Sequence, residues 1–103
     1  MSKRIAIKPK ASEDIDQHVD YLMARNEEAA LRLFDAIRTT AAQIAIMPGA
    51  GQLYECSDPK LRGLRKRAVK GFKNYLIFYM VRDTEVSIIR VLYASQDISS
   101  ILD

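Results

Sequence analysis

Two segments with apolar residues at helical spacing follow each other along residues 13–47, with almost no linker between them. The apolar positions of the first run are Ile15, Val19, Leu22 and Met23. Those of the second run are Ala30, Leu33, Phe34, Ile37, Ala41 and Ile44. Since this spacing collects apolar side chains on one face, both runs predict amphipathic helices. Helices joined so closely must fold back on each other as a hairpin and share an apolar partner, which we predict to be a β-sheet.

Local signals set the expected ends of the two helices. Ser12 is predicted to cap the first helix, which then ends near Arg25, and Asn26 is predicted to cap the second. The second helix is expected to run to Met47, because a Pro-Gly pair follows it. Phe34 belongs to the second apolar stripe. If its ring is fully buried, replacing it by alanine is expected to cost about 3–5 kcal/mol of folding free energy.

Four segments have the composition or the alternation of β-strands. They are residues 4–8, 64–69, 75–81 and 86–93. The third segment is apolar on both faces and rich in aromatic and branched residues, which is typical of a central strand. Residues 48–59 have turn chemistry and little periodicity, so they are predicted to form a surface loop. Asp97 is predicted to cap a last helical turn that reaches Leu102.

The predicted order is one strand, two helices and then three strands (β-α-α-β-β-β). This order predicts an α+β fold: an N-terminal strand, followed by an α-helical hairpin packed on a small, mainly antiparallel sheet. A chain of 103 residues is short enough for a single domain, predicted to span residues 1–103.

Several classes of protein are excluded by composition and motifs. The chain has no apolar run long enough for a membrane helix or a signal peptide, so we expect a cytoplasmic protein with no membrane partner. It has one cysteine, Cys56, and one histidine, His18, which cannot build a Cys/His metal site. We therefore predict no metal and no cofactor. The motifs of the common enzyme classes are also absent.

Charge is distributed unevenly along the chain. Residues 1–59 contain seven basic and nine acidic residues, whereas residues 60–103 contain nine basic and four acidic ones. Seven of these cations form a block without an acidic residue: Lys60, Arg62, Arg65, Lys66, Arg67, Lys70 and Lys73. Such a block is either a solvated face or a surface that attracts an anionic partner, namely nucleic acid or an acidic polypeptide.

The predicted strand at residues 64–69, here called the basic strand, contains the cations that could act on a phosphate group. On a strand, Arg65 and Arg67 share one face and Lys66 lies on the other. Cations on an exposed sheet face could bind phosphate, or could stabilise the charge that develops when a ribose 2′-hydroxyl cleaves RNA. Such cleavage also needs a general acid or base.

Tyrosines and one arginine are the remaining candidates. Tyr75, Tyr79 and Tyr93 could transfer protons, although packing within the sheet is the alternative interpretation of each. Arg90 interrupts an apolar strand and therefore predicts an ion pair, either with Asp97 or with an acid of the first helix, with ligand contact as the alternative. The lone histidine is interpreted as a packing or surface residue.

Five segments carry a resemblance to a known family. They are EDIDQHVDYL (Glu13 to Leu22), EEAALRLFDAI (Glu27 to Ile37), MPGAG (Met47 to Gly51), LRGLRKRAVKGFKNYLIFY (Leu61 to Tyr79) and RVLYASQDI (Arg90 to Ile98). In this order and spacing they resemble the ParE/RelE superfamily of small bacterial toxins, and most closely its ParE branch.

The resemblance implies a toxin of a type II toxin-antitoxin system with a RelE/ParE-like fold. It also implies a cognate ParD-like antitoxin whose acidic C-terminal segment wraps around the toxin. ParE toxins act on DNA gyrase and block replication, whereas RelE-like relatives cut messenger RNA in the ribosomal A site. Candidates for contact with the target or the antitoxin are Arg65, Lys66, Arg67, Lys70, Lys73, Arg90 and Tyr93.

The two branches predict different chemistry. The ribonuclease pattern places a basic residue and a Tyr or His near the C-terminus, and here Ala94, Ser95, Gln96 and Asp97 occupy that stretch. The first hypothesis is therefore a gyrase-poisoning toxin with no catalytic residue and no direct nucleic-acid contact. The alternative is a ribosome-dependent mRNA endoribonuclease that uses the basic strand. A nucleic-acid-binding module and an inactive toxin that only binds its antitoxin are the further hypotheses.

Overall fold

The computed structural model describes residues 2–103, which form five strands and three α-helices. In chain order these are β1 (Arg4–Ile7), α1 (Pro9–Met23), α2 (Glu27–Ile46), β2 (Gln52–Leu53), β3 (Arg65–Val69), β4 (Phe72–Val81), β5 (Glu85–Tyr93) and α3 (Ile98–Leu102). Short 3₁₀ turns at Pro48–Ala50 and Pro59–Leu61 flank β2. Within the described residues, no helix combines the length and the apolar character needed to cross a bilayer.

The strands form one sheet in the order β1-β5-β4-β3-β2. β1 runs parallel to β5, and the other neighbouring strands are antiparallel. The predicted α+β architecture with a mainly antiparallel sheet is thus confirmed. The prediction that residues 48–59 form only a loop is wrong, because Gln52 and Leu53 pair with Lys66 and Arg65. A strand of two residues is too short to show alternation in the sequence.

The start of α1 differs from the prediction, whereas the start of α2 agrees with it. α1 begins at Pro9, so Ser12 lies within the first turn and does not cap the helix. Proline suits the first helical position because its φ is already helical and its missing N–H would have no helical partner there. Asn26 caps α2 as predicted, since its side-chain oxygen accepts a hydrogen bond from the Ala29 N–H at 3.1 Å.

The face of the sheet under α1 and α2 holds the larger apolar cluster. Its buried members are Ala11, Ile15, Leu33, Ile37, Ile44, Val69, Ile77, Tyr79, Val86, Ile88 and Val91. Phe34 is not among them, and its side chain is 41% exposed. Full burial of the Phe34 ring, the condition for the larger loss of stability, is therefore not met. Leu33 occupies the buried stripe, and the next residue along a helix lies about 100° around the axis, at the border of that stripe.

The opposite face of the sheet holds a second apolar cluster. Leu64, Phe78, Met80, Leu92 and Leu102 are its buried members. The last of these belongs to α3, which folds back onto this face. This face is therefore apolar and covered, and it is not the exposed sheet face with cations that the sequence suggested. Since β4 is apolar on both faces, each face needs a cover, and α3 together with residues near Tyr54 supplies the second one.

Side chains of α1 close the part of β5 that β1 does not reach. β1 pairs with β5 only as far as Ile88. Beyond that point, the Asp14 carboxylate accepts the Val91 N–H at 3.0 Å. One turn later, the His18 Nε2 lies 2.8 Å from the Val91 carbonyl oxygen. A carbonyl oxygen only accepts, so this ring nitrogen donates. His18 is therefore a packing residue, as the sequence indicated.

The two neighbouring residues Leu33 and Phe34 offer a matched test of the buried stripe. Leu33→Ala is expected to cost about 2–5 kcal/mol, because Leu33 is fully buried. Phe34→Ala is expected to cost only about 1 kcal/mol, because much of the ring already contacts water. Urea unfolding followed by circular dichroism measures both values. A larger loss for Phe34→Ala than for Leu33→Ala would contradict this assignment of the helix face.

Asp14 and Asp16 offer a matched test of the contacts by which α1 covers the free edge of β5. Asp14→Ala leaves the Val91 N–H and the Arg90 guanidinium without their acceptor, so we expect a loss of about 3 kcal/mol. Asp16→Ala removes the same charge from an exposed position on the same helix, so its expected effect is below about 0.5 kcal/mol. Equal unfolding free energies for the two variants would show that the Asp14 contacts do not stabilise the fold.

Candidate functional site

Arg65 holds a turn and does not face solvent as a free cation. Its Nη1 donates to the carbonyl oxygens of Gly51 at 2.6 Å and Gly49 at 3.3 Å. The Tyr79 hydroxyl donates to the Pro48 carbonyl oxygen at 2.7 Å in the same turn. A Cβ on Gly51 would overlap the Tyr79 ring, so only glycine fits there. The close approach of Tyr79 explains the glycine at position 51, and the two hydrogen bonds give Arg65 a structural role in this turn.

Tyr79 is correspondingly a poor candidate for proton transfer. The side chain is fully buried, and burial raises the pKa of its hydroxyl above the ordinary value, against opposing contributions that include the nearby Arg65 and Arg67. Its hydroxyl proton is already donated to the Pro48 carbonyl oxygen. Tyr79 therefore acts as a structural residue of the helix-covered face.

The three cations of β3 do not converge on one site. Arg65 and Arg67 share a face of the strand as predicted, but this is the face that α2 covers, because the Arg67 Nη2 donates to the Gln43 side-chain oxygen at 3.3 Å. Lys66 lies on the other face, with its Nζ 5.5 Å from the centre of the Tyr54 ring. The expected cluster of cations on an exposed sheet face is therefore not formed by this strand.

Arg90 is the second arginine with a structural partner. Its Nε and Nη2 donate to the two carboxylate oxygens of Asp14 at 2.7 and 2.8 Å. The side chain of Arg90 is 19% exposed, and its hydrogen bonds to Asp14 raise its pKa further. The predicted ion pair with an acid of the first helix is thus confirmed. Asp97, the other candidate partner, instead accepts hydrogen bonds from Ser100 and, more weakly, from Ser99, which lower its pKa.

Lys70 and Lys73 remain as exposed cations at the turn between β3 and β4. Gly71 forms this turn with a φ of +83°, a conformation that favours glycine. The backbone N–H of Lys70 donates to the Thr40 hydroxyl at 3.0 Å, which ties the turn to α2. Both lysine side chains belong to exposed residues, so the turn presents two positive charges to solvent.

Tyr93 forms one wall of an aromatic groove at the same end of the sheet. Its ring packs edge-on against Tyr75 at 4.8 Å, and Tyr75 packs edge-on against His18 at 5.1 Å. The groove has a volume of about 500 Å³, and Tyr21 and Gln96 also line it. Burial raises the pKa of the Tyr75 hydroxyl, with smaller contributions from Tyr93 and Tyr21. A planar or apolar group of a partner could pack between these rings.

The groove was not predicted from the sequence, although one signal for it was present. Tyr75 and Tyr93 are opposite each other in the β4–β5 pairing, which the hairpin register could have indicated. His18 and Tyr21 join them only because α1 crosses the end of the sheet. Lys73 lies two positions before Tyr75 on β4, at the same end of the sheet as the groove. We call Lys70, Lys73, Tyr75 and Tyr93 the lysine–tyrosine surface.

No metal centre is found among residues 2–103, because no three His, Cys, Asp or Glu side chains lie close enough together to hold an ion. The groove brings together aromatic rings and side-chain amides, and the exposed lysines Lys70 and Lys73 lie at the same end of the sheet. They suit recognition of a partner surface.

Comparison with known proteins places the chain in a family. The family model for the ParE toxin of type II toxin-antitoxin system, parDE, matches residues 5–98. A solved structure described as the chromosomal ParDE TA system from P. aeruginosa superposes with a TM-score of 0.73. The two chains are 18% identical over 91% of this chain and 98% of the other, which bears on the fold alone. No curated protein matches in sequence. Because the family match spans nearly the whole chain, this protein belongs to the ParE toxins of type II toxin-antitoxin systems.

Proposed function

We propose that this toxin poisons DNA gyrase by binding it, without catalysing a reaction, and that a ParD-like antitoxin with an acidic C-terminal segment neutralises it. The family supports a toxin with an antitoxin partner. The gyrase target follows from the resemblance to the ParE branch. The acidic character of the antitoxin segment fits the basic excess of residues 60–103.

One observation favours binding of a target protein over cleavage of RNA. In RNA cleavage, cations must face the reacting phosphoryl group. Here, Arg65 donates to backbone carbonyl oxygens and Arg67 donates to Gln43. Arg90 donates to Asp14. The two arginines of the basic strand, which a ribonuclease would use, and Arg90 are thus engaged in holding the fold, which favours a surface that binds a protein.

The lysine–tyrosine surface is the proposed contact for gyrase. It combines two exposed cations with aromatic rings that already pack against each other. Aromatic residues supply much of the binding energy of protein interfaces, while charges at the rim speed the encounter. Lys70 and Lys73 would attract an acidic region of the target, and Tyr75 and Tyr93 would provide the packed centre.

Purified protein is expected to inhibit supercoiling by gyrase and to increase the amount of cleaved DNA trapped on the enzyme. Both are measured with a relaxed plasmid, by agarose gels run before and after detergent treatment. A parallel growth assay follows the effect of expressing the chain without an antitoxin. Unchanged supercoiling together with unimpaired growth would contradict the proposed function.

Charge reversal at the turn is expected to weaken gyrase inhibition. Lys70→Glu with Lys73→Glu should raise the concentration needed for half inhibition by about tenfold, most strongly at low salt. Lys10→Glu with Arg32→Glu is the matched control, because it changes the net charge equally at exposed helical positions. Equal effects of the two double variants would assign the loss to net charge and not to this surface. Arg65 is unsuitable for such a test, since its replacement would release the Gly49–Gly51 turn.

The alternative function, ribosome-dependent cleavage of messenger RNA, makes a different prediction. We expect no cut transcripts when the protein is added to a translating extract, and primer extension measures this directly. If cutting does occur and Lys66→Ala with Arg67→Ala abolishes it, the protein is an endoribonuclease and the proposed function is wrong.

A further inference from the structure

The aromatic groove lies beside a part of β5 whose backbone groups are already paired. Beyond the reach of β1, Val91 and Tyr93 direct their N–H and C=O groups to the side where no strand of residues 2–103 lies. Those of Val91 contact Asp14 and His18. The Tyr93 N–H donates to the Gln96 side-chain oxygen at 2.6 Å, and the Tyr93 carbonyl oxygen accepts the Gln96 N–H at 2.9 Å. A partner therefore cannot bind here as an added strand.

The lining of the groove is rich in hydrogen-bond donors. Among the described residues, its walls contain no Asp, Glu, Lys or Arg and consist of Gln17, His18, Tyr21, Leu22, Tyr75, Tyr93, Ser95 and Gln96. The Gln96 oxygen already accepts the Tyr93 N–H, so the NH₂ group of this amide is left to donate. The tyrosine and serine hydroxyls can donate as well. Such a lining suits an occupant that offers acceptors and few donors.

The aromatic rings form a ridged wall and not a flat platform. Three rings pack edge-on against Tyr75 at interplanar angles between 73° and 83°, namely those of His18, Phe72 and Tyr93. On Tyr21, the Arg25 guanidinium lies 3.6 Å from the ring centre and covers one face. A nucleobase stacks on an open ring face, which this arrangement offers poorly. Proline rings instead pack into grooves lined by aromatic side chains.

A polyproline II segment meets these conditions. It has no internal hydrogen bonds, its carbonyl groups face outward, and each proline lacks an N–H. The segment thus needs no strand partner and brings acceptors to a lining of donors. Because its conformation is set before binding, little chain entropy is lost when it docks.

Two unpaired cations lie beside the groove. Arg25 lies over the Tyr21 ring, and Lys73 is at the same end of the sheet as Tyr75. Both are exposed, and neither forms an ion pair with an acid among residues 2–103. The Arg25 Nη1 donates to the Tyr21 carbonyl oxygen at 2.9 Å, which leaves further guanidinium N–H groups for a carboxylate. The charges beside the groove therefore favour an acidic occupant.

We propose that the aromatic groove binds an acidic, proline-containing segment of the target protein in the polyproline II conformation. Its proline rings pack against the tyrosine rings, its carbonyl oxygens accept from Gln96, and its carboxylates lie beside Arg25 and Lys73. The inference rests on the proposed function, because it names the kind of segment that gyrase presents to the lysine–tyrosine surface.

NMR titration of the full chain with synthetic peptides tests the proposal without gyrase. A peptide of repeated Pro-Pro-Glu should shift the ring signals of Tyr21, Tyr75 and Tyr93 and the side-chain amide signal of Gln96. The matched control is repeated Ala-Ala-Glu, which has the same charge and should bind about tenfold more weakly. Repeated Pro-Pro-Lys should also bind about tenfold more weakly, because it reverses the charge.

Two pairs of variants separate the ring contribution from the charge contribution. Tyr21→Leu should weaken binding of the Pro-Pro-Glu peptide about tenfold, whereas Phe34→Leu, at another exposed helical position beside an arginine, should leave it unchanged. Arg25→Gln should weaken binding and reduce its salt dependence, whereas Arg38→Gln should do neither. Circular dichroism verifies that each variant is folded.

The outcomes distinguish this inference from the proposed function. Equal binding of the proline and alanine peptides, equal effects of Tyr21→Leu and Phe34→Leu, or tighter binding of a single-stranded oligothymidylate at the same rings would overturn it. A chain that inhibits gyrase without binding the proline peptide also overturns the inference and leaves the proposed function in place. A chain that binds this peptide in the groove without inhibiting gyrase supports the groove assignment and contradicts the proposed function.

Discussion

The buried carboxylate of Asp14 determines how the helical layer sits on the sheet. β1 stops too early to pair with the far half of β5, so Val91 would present unpaired backbone groups at an open edge. Asp14 accepts the Val91 N–H and two donors of Arg90, while His18 donates to the Val91 carbonyl oxygen. Side chains of α1 thus replace a missing strand. Since leaving any of these groups unpaired is costly, α1 is held in one register along β5.

The fold was largely predictable because its main signals are periodic and local. Periodicity identifies the face of a helix only to within one position, so it could not separate Leu33, which is buried, from Phe34, which is 41% exposed. Pro9 and Ser12 are both signals for a helix start, and the end of β1 at Ile7 decides between them. α3 covers the second face of the sheet, and the double-sided apolar character of β4 was the clue that such a cover was needed.

The candidate site was less predictable, because it depends on contacts between residues that are distant in the sequence. A basic strand indicates cations but not their partners, and Arg65 finds its acceptors in a turn that a separate segment supplies. The partner of Arg90 was easier to predict, since a charge inside an apolar strand requires a partner, and Asp14 of the first helix supplies it. Arg65, Arg67 and Arg90 donate to acceptors that suit the fixed donor geometry of a guanidinium group, and the exposed Lys70 and Lys73 remain as point charges. Recognition through lysines favours fast, salt-sensitive encounter over fixed geometry.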